Sequence, residues 1–423
     1  MRTSVYCETL RRENVPALGC TEPMAVAYAS ALAVQALGEE AETLTLHVSG
    51  NILKNAMGVG LPGSSQVGLR AAAALAWAGG DPGYGLEVLR DIEDIHRRRA
   101  EEILRAGQVK VLLAPTSEKL YIRAVCKGKR QETSVTIQKQ HTNVTEILKN
   151  GKPQPLCGTG EEEHRDLPEP SLNLQDAWAY STEAPVSELL FLQAGIEMNW
   201  RIAQEGLKND YGQRTGKLLY AQWKEGGGKD STLYAAALTA AASDARMAGC
   251  CMPVMSVVGS GNQGIATILP PAALGRCLKI DKERVLRAVA LCQLTAIHAK
   301  QYSGRLSALC GAANAAAAGI ACAVVYLRGG TLQQAKNAVQ NIAGDVAGLI
   351  CDGAKSSCAL KIATSVQAAF LCAELALAGN AVGKLDGIVA KEAEHTLQNL
   401  GRLAVEGMEI TDQVILQMMI EKG

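Results

Sequence analysis

The stretch Leu349-Ile-Cys-Asp-Gly-Ala-Lys-Ser-Ser-Cys-Ala-Leu-Lys361 places two cysteines on either side of a short polar segment that contains a glycine. Ala-rich runs flank the stretch, so it predicts a loop between two helices. Cys351 and Cys358 are too far apart for a Cys-x-x-Cys redox motif, and zinc sites usually show closer pairs with nearby histidines. A loop that holds an iron-sulfur cluster through cysteine thiolates fits this spacing better.

Two further cysteines lie in unusual settings. Cys310 precedes a glycine and a long Ala-rich helix, and Cys20 lies directly before Thr21, the predicted N-cap of the first helix. The free N–H groups and the dipole of a helix N-terminus lower a thiol pKa, so Cys20 is a candidate reactive thiolate. The alternative is that Cys20 is a small buried apolar residue. Three other cysteines have helical core spacing and are interpreted as packed thiols: Cys292, Cys322 and Cys372.

Composition narrows the class of ligand. The 423 residues carry 42 Lys+Arg against 42 Asp+Glu, without a basic block or interleaved aromatic and basic residues. This balance argues against nucleic acid as a partner and indicates a small-molecule ligand. Aromatic residues make up only 4%, so the helix cores are expected to consist of Ala, Leu, Val, Ile and Cys at close spacing.

The sequence shows no segment that would target the protein for export or to a membrane. The first residues lack an apolar signal segment, and no run of about 18 uncharged apolar residues follows. We therefore expect a soluble cytoplasmic protein without a membrane partner; a homo-oligomer stays an open alternative. Thirteen cysteines in a reducing compartment predict free thiols rather than a disulfide framework.

Hydrophobic periodicity predicts an α+β fold: an Ala-rich helical catalytic domain with a smaller α/β domain that contains a mostly antiparallel sheet. The strands are predicted between residues 43 and 148, and helices from 185 to 403. A composition rich in Gly, Pro and Glu at 151–172 predicts a linker. The predicted units are residues 1–41, whose helix at 22–37 packs with the helical domain; 42–168, the α/β domain; and 169–423, the helical domain.

Two polar clusters are candidates for binding a small ligand. The first follows a predicted strand, suits an amino acid's carboxylate or ammonium, and has an ordinary Asx turn as its alternative; its members are Ser49, Asn51, Lys54 and Asn55. The second is Gly259–Gly264, with Ser260 and Asn262. Its Gly-x-Gly-x-x-Gly order lacks a surrounding βαβ unit, so its backbone N–H groups favour a carboxylate over a pyrophosphate.

One helix end carries further chemistry. His298, Lys300, Tyr302 and Arg305 supply an imidazole, two cations and a phenol close together in the sequence. A lone histidine near a helix end is more often a structural hydrogen-bonding group than a catalytic base, so His298 is interpreted mainly as structural.

Five motifs in this order resemble the L-cysteine desulfidase family, which is related to the iron-sulfur L-serine dehydratases. They are Gly19-Cys-Thr-Glu-Pro23, Ser49-Gly-Asn51, Gly259-Ser-Gly-Asn-Gln-Gly264, Ser307-Ala-Leu-Cys-Gly311 and Cys351-Asp-Gly-Ala-Lys-Ser-Ser-Cys358. The resemblance spans nearly the whole chain. It implies a lyase with a 4Fe-4S cluster and no pyridoxal phosphate, which converts L-cysteine to pyruvate, ammonia and sulfide.

The resemblance also implies roles for single residues. Cys310, Cys351 and Cys358 correspond to three cluster ligands, and Cys20 to a fourth thiol that is either a displaceable ligand or the catalytic base. L-Serine is the alternative substrate, since the same iron would take a hydroxyl group. An alternative of another class is a metal-free protein that binds a small anion in its Gly259–Gly264 loop.

Overall fold

The computed structural model of the chain describes residues 4–64, 66–155 and 172–422. The predicted linker lies largely outside these ranges, and the predicted boundary at residues 168 and 169 lies wholly outside them. The division into domains therefore stays a prediction. Within the described ranges the architecture is α+β, with one larger sheet and many helices.

The larger sheet has six strands in the described residues, in the order β3-β2-β4-β5-β6-β7. Strands β2 and β3 pair in parallel, and the other neighbours pair antiparallel. Along β4 the buried side chains alternate with more exposed ones, as expected for a strand with one face on the core. The strands are β2 (Ala41–Val48), β3 (Val109–Leu113), β4 (Tyr121–Gly128), β5 (Glu132–Gln138), β6 (Val144–Lys149) and β7 (Lys152–Pro153).

Four helices accompany this sheet: α2 (Thr21–Leu37), α3 (Gly50–Ala56), α4 (Gly68–Gly79) and α5 (Asp94–Arg105). Helix α2 packs against α4, β4 and β5. The prediction that this helix packs with the helical domain was wrong. The side chains of residues 21–33 are all buried, and a helix that is apolar all round is enclosed by its neighbours. Here those neighbours are the sheet and α4.

The N-terminal segment does join the helical part. Cys7 and Leu10 of α1 (Val5–Glu13) lie in the same core as the helices beyond residue 172. Strand β1 (Asn14–Leu18) pairs antiparallel with β8 (Pro253–Val257). The hydroxyl of Ser256 also donates to the carbonyl of Val15, which lies 241 residues away in the chain. The chain therefore passes from the helical part to the sheet just before α2.

The helical part is built from small residues, as the composition indicated. Helices α9 (Ser231–Met247), α10 (Gly261–Cys277) and α12 (Ala315–Leu327) are buried along nearly their whole length, and α9 and α12 are rich in alanine. Three helices of this part were not predicted from the sequence: α6 (Leu174–Glu183), α8 (Thr215–Glu225) and α16 (Glu409–Ile420). The helices are α6 (Leu174–Glu183), α7 (Leu192–Lys208), α8 (Thr215–Glu225), α9 (Ser231–Met247), α10 (Gly261–Cys277), α11 (Lys282–Ser303), α12 (Ala315–Leu327), α13 (Leu332–Val346), α14 (Cys358–Leu377), α15 (Ala393–Arg402) and α16 (Glu409–Ile420).

Helix α14 has the length and apolar composition of a membrane span, the one such helix among the described residues. Half of its apolar stretch is buried inside the protein, where it packs against α9, α12 and α13. The core helix of a globular protein shows the same combination.

Asp244 of α9 lies beneath the start of α8. Its carboxylate accepts a hydrogen bond from the backbone N–H of Gly216 at 3.0 Å, and its side chain is 1% exposed. Burial raises the pKa of Asp244 to about 6, although the backbone N–H groups of Gly216, Gln213 and Thr215 partly oppose the change. A buried ionised carboxylate thus lowers stability at neutral pH.

Asp244→Asn is expected to remove this pH dependence. Because the folded pKa exceeds the unfolded one, the wild-type carboxyl contributes stability that is fully present below the unfolded pKa and is lost as pH rises through about 6. The amide does not ionise and still offers an oxygen to Gly216. Between about pH 4 and about pH 7 the variant should therefore gain about 1–3 kcal/mol in unfolding free energy relative to wild type, measured by urea denaturation. The same difference at both pH values would contradict this assignment.

Candidate active site and its cysteines

Two segments far apart in sequence bring Cys310 and Cys351 together. The backbone N–H of Cys310 donates to the carbonyl of Leu349 at 3.0 Å, and that of Cys351 donates to the carbonyl of Ala308 at 2.6 Å. Leu309 and Ile350 form an antiparallel bridge between these bonds. Backbone hydrogen bonds therefore anchor the loop at residues 349–361 to the segment that carries Cys310.

The second half of that loop is ordered by charge. Asp352 accepts hydrogen bonds from the ammonium groups of Lys355 and Lys361, and Lys361 also donates to the carbonyl of Ile350 at 2.8 Å. Burial opposes ionisation of Asp352, but the two lysines outweigh it and lower its pKa to about 2. Cys358 follows as the first residue of α14. The two cysteines thus sit on a loop with fixed internal contacts.

These thiols line one cavity, which has a volume of about 100 Å³. Its wall comes from both parts of the structure: the start of α2, the end of α3 and the β5–β6 turn on one side, and α10, α11 and the cysteine segments on the other. The polar and thiol groups of the wall are Cys20, Thr21, Glu22, Asn55, His141, Arg246, Ser260, Asn262, Gln263, Lys300, Arg305, Ser307, Cys310, Cys351 and Cys358.

A chain of side-chain hydrogen bonds connects Cys20 with Cys351. The Cys20 thiol donates to Glu22 Oε2 at 3.0 Å, and Asn55 Nδ2 donates to Glu22 Oε1 at 3.0 Å. The Cys351 thiol lies 4.0 Å from Asn55 Oδ1, at the limit of a hydrogen bond to sulfur. The start of α2 and the end of α3 therefore meet the cysteine loop through Glu22 and Asn55.

The protonation of Cys20 differs from the sequence prediction. Cys20 is itself the N-cap of α2, but burial and then the negative charge of Glu22 raise the pKa of its thiol well above the ordinary value, against the opposing charge of Arg246. The helix N-terminus does not outweigh these two effects. In this arrangement Cys20 is a thiol that donates to a carboxylate, and the prediction of a resting thiolate was wrong.

Glu22 is the ionised partner. Burial opposes its ionisation, but His141, the hydrogen bond from Cys20 and the charge of Arg246 together lower its pKa. Arg246 is 2% exposed and donates to the carbonyl of Gly19 at 3.0 Å. Glu22 was not among the predicted site residues because, in the sequence, it reads only as an acidic residue in the first turn of a helix.

His141 enters the cavity wall from the β5–β6 turn. Its side chain is 6% exposed, and its Nε2 has no hydrogen-bond partner among the described residues. Gly259 makes room for the ring, since a Cβ on that residue would lie 2.9 Å from His141 Nδ1. Burial, helped by the charges of Arg305 and Arg246, lowers the pKa of His141 against the opposing charge of Glu22. The surroundings of the imidazole, taken together, thus favour its neutral form.

Two further wall residues have polar groups turned towards the cavity region. Gln263 Nε2 is buried without a partner among the described residues. Burial lowers the pKa of Lys300 to about 8, against the opposing charges of Cys351 and Cys310. Lys300 and Arg305 were recognisable in the sequence as two cations near a helix end, but neither was predicted as a site residue.

The two predicted polar clusters differ in how many of their residues line the cavity. Ser260, Asn262 and Asn55 line the cavity with the cysteines. The hydroxyl of Ser260 caps α10 by accepting the N–H of Gln263 at 3.2 Å.

The other three predicted substrate residues lie outside the cavity wall and bond elsewhere. Ser49 Oγ donates to the carbonyl of Lys119 at 2.7 Å. Asn51 Nδ2 and Lys54 Nζ donate to the two carboxylate oxygens of Asp412 at 2.8 and 2.6 Å. These bonds are structural, and of the four predicted residues from Ser49 to Asn55 only Asn55 lies on the cavity wall.

His298 also lies outside the cavity wall. Its Nε2 is 2.6 Å from Glu394 Oε2, and the other oxygen of that carboxylate accepts the N–H of Leu174 at 2.6 Å. His298 thus ties α11 to α15 and α6, in agreement with its interpretation as structural.

The cysteines on the cavity wall are the type of ligand that an iron-sulfur cluster takes. Among the described residues no three His, Cys, Asp or Glu side chains are placed to hold a single metal ion. A four-iron cluster spreads its ligand sulfurs over roughly 6–7 Å and is held by thiolates. Burial, then the charges of Cys351 and Cys358, raise the pKa of Cys310 to about 12, and bound iron would deprotonate such thiols. The thiols of Cys310, Cys351 and Cys358 lie on one cavity wall and are therefore chemically suited to hold a four-iron cluster.

Comparison with known proteins gives a consistent family. The sequence profile described as "Serine dehydratase alpha chain" matches residues 84–417. A "UPF0597 protein" of Oleidesulfovibrio alaskensis is 40% identical over 427 residues, which cover 99% of this chain and 98% of the relative. A "UPF0597 protein" of Clostridium perfringens is 38% identical over 421 residues, with the same shares. One of Shewanella pealeana is 40% identical over 429 residues, again covering 99% and 98%.

Proposed function

Because the chain belongs to the serine dehydratase alpha chain family, we propose that it is a lyase that eliminates sulfide from L-cysteine. The products are hydrosulfide and 2-aminoacrylate, which hydrolyses to pyruvate and ammonia. The family supports a lyase of the dehydratase kind; L-cysteine as the substrate is the finer proposal. We further propose a 4Fe-4S cluster on Cys310, Cys351 and Cys358, no pyridoxal phosphate, and a cytoplasmic location, where thiols stay reduced.

The observation that carries the proposal is one cavity that combines four cysteine thiols, three of them the proposed cluster ligands, with groups suited to an amino acid. The start of α10 offers backbone N–H groups and the positive end of the helix dipole, beside Ser260 and Asn262. Such a site favours a carboxylate. On the opposite wall Glu22 and Asn55 offer oxygen acceptors suited to an ammonium group. The substrate is thereby held by both ends, with its side chain towards the thiols.

The protein's own groups account for the proton transfer. We assign His141 Nε2 as the acceptor of the α-proton, because it is a neutral, buried ring nitrogen without a partner on the cavity wall. The electron pair of the broken Cα–H bond forms the Cα=Cβ double bond, and the Cβ–S pair leaves with the sulfur as hydrosulfide. When bound, the cluster would supply a Lewis-acidic iron for the departing sulfur. Cys20 would be the residue that offers such a cluster a fourth, displaceable thiol.

L-Serine is a second candidate substrate, favoured by the name of the matching family, serine dehydratase alpha chain. Elimination of water from serine would use the same carboxylate, ammonium and proton-accepting groups. The thiol-rich wall, with Met247 and Cys358 packed around Cys20, favours the larger and softer sulfur of cysteine. The two substrates differ only in the leaving group, which is sulfide from L-cysteine and water from L-serine.

The test is an anaerobic reconstitution followed by parallel assays with L-cysteine and L-serine. The proposal expects about four irons per chain, sulfide and pyruvate in equal amounts from L-cysteine, and slower pyruvate formation from L-serine. Faster turnover of L-serine would shift the substrate assignment to the dehydratase. A chain that binds no iron and turns over neither amino acid would support the alternative of a metal-free anion-binding protein.

A further inference from the structure

We propose that Asp412, on the C-terminal helix α16, is a positioning residue that fixes the Cys351 loop through the buried ammonium of Lys54. The proposal depends on the proposed function in one respect, since it takes Cys351 as a cluster ligand. The contacts that support it belong to the folded chain itself. They link the last helix of the protein to the loop that carries the cysteines.

Lys54 lies between the two. Its side chain is 1% exposed, and its Nζ donates to Asp412 Oδ1 at 2.6 Å and to the carbonyl oxygen of Cys351 at 3.1 Å. Asn51, one turn earlier on α3, donates to the other oxygen of Asp412 at 2.8 Å. A single carboxylate thus engages two of the three polar side chains of α3 that the sequence had suggested for substrate binding.

The backbones of α3 and the loop are in direct contact beside this ion pair. The N–H of Ala354 donates to the carbonyl of Asn55 at 3.2 Å. Gly353 has φ of +92°, and a Cβ there would collide with the carbonyl of Lys54. Only glycine combines this conformation with so close an approach. The backbone at the end of α3 therefore packs directly against the Cys351 loop.

Helix α16 covers the same junction from outside. Leu416 packs over Gly50 at the start of α3, and Met419 reaches Gly353. The remainder of α16 is largely exposed, including Ile410, Val414 and Met418. A helix with so little buried surface opens more readily than the core helices. Its attachment to the site therefore depends on the few contacts made by Asp412 and its neighbours.

A buried ammonium tolerates the loss of its carboxylate poorly, because the charge is then neither solvated nor paired. Without Asp412, Lys54 is expected to turn towards water and give up its bond to the Cys351 carbonyl. The loop then loses the contact that orients this carbonyl, while the bonds of Cys310 to Leu349 remain. The disturbance should accordingly be greater at Cys351 than at Cys310.

The experiment uses the full-length, iron-free protein and measures alkylation of individual cysteines by iodoacetamide with peptide mass spectrometry. Asp412→Asn is expected to increase the alkylation rate of Cys351 about tenfold relative to wild type, with a smaller change at Cys310. Asp412→Glu, which keeps the carboxylate, should restore most of the protection. Asn51→Ala is the matched control, since it removes the other bond to Asp412 and leaves Lys54 paired; it should leave the rate at Cys351 close to wild type.

A destabilised variant at a distant site distinguishes the positioning role of Asp412 from a general loss of stability. Ile103→Val, in the core beneath the sheet, lowers stability without touching α3, α16 or the loop. If it raises Cys351 alkylation as much as Asp412→Asn does, or if Asp412→Asn leaves Cys351 protected, the proposal is overturned. A selective increase in the alkylation rate of Cys351 would support the positioning role of Asp412 even if the protein bound no iron on reconstitution. The failure to bind iron would refute only the cluster assignment.

Discussion

Cys351→Ser is expected to reduce the iron content of anaerobically reconstituted protein from about four per chain to less than about one. The three proposed ligands share one cavity, and Cys351 is held against the Cys310 segment by backbone hydrogen bonds. A cluster with only two firm thiolates loses iron readily to a chelator. The measurement is iron per chain after gel filtration with a chelator, together with the absorbance of the cluster.

Cys251→Ser is the control for this experiment because Cys251 is an exposed thiol outside the cavity. Its iron content and absorbance should equal those of wild type. Cys310→Ser and Cys358→Ser are expected to behave as Cys351→Ser does, whereas Cys20→Ser should retain most iron because three thiolates remain. Full iron retention in the Cys351, Cys310 and Cys358 variants would refute the ligand assignment.

His141→Asn is expected to lower the turnover of L-cysteine by about 10²-fold or more, the usual contribution of a general base. The amide is similar in size but accepts a proton poorly, so exchange of the α-proton in deuterated water should be lost as well. Iron content should be unchanged. The measurements are sulfide release and deuterium incorporation at Cα under anaerobic conditions.

The pH profile adds a readout that misfolding would not produce. Burial lowers the pKa of His141, with Arg305 and Arg246 acting in the same sense and Glu22 opposing them. As pH falls through this pKa the imidazole becomes protonated and cannot accept the α-proton. The acidic limb of kcat/KM should lie below about 6.5 and disappear in the variant. If proton exchange persists in His141→Asn and is lost in Cys20→Ser, Cys20 is the base instead.

Local sequence accounts for much of the site. The loop from Cys351 to Cys358, the Cys310 segment and the turn at Ser260 each carry their own signal of small residues and punctuating glycine, so they could be identified before their positions were known. The sheet was predictable for a similar reason, since alternation along a strand such as β4 reflects burial of one face. The assignment of Cys20 to the neighbourhood of these residues came from the family resemblance.

The remaining features of the site depend on contacts between residues far apart in the sequence and could not be predicted from local patterns. Lys54 and Asn51 look like ligand-binding residues in sequence, and only the arrival of α16, more than 350 residues later, gives them Asp412 as partner. His141 sits in an ordinary polar turn, and the sequence does not reveal that Gly259 leaves space for its ring. The pKa of Cys20 depended on competition between a helix dipole and a buried carboxylate, a balance set by burial that no local pattern shows.

The pairing of β1 with β8 also constrains the order of events during synthesis. Cys20 follows β1 by two residues, yet the partner strand leaves the ribosome only after residue 257. At about 5–20 residues per second, the N-terminal strand waits roughly 12–50 seconds for its partner. The sheet and α2 can assemble within that interval because all their strands come earlier in the chain. Completion of the cavity, and any loading of iron into it, thus belongs to the last stage of folding, after Cys358 has been made.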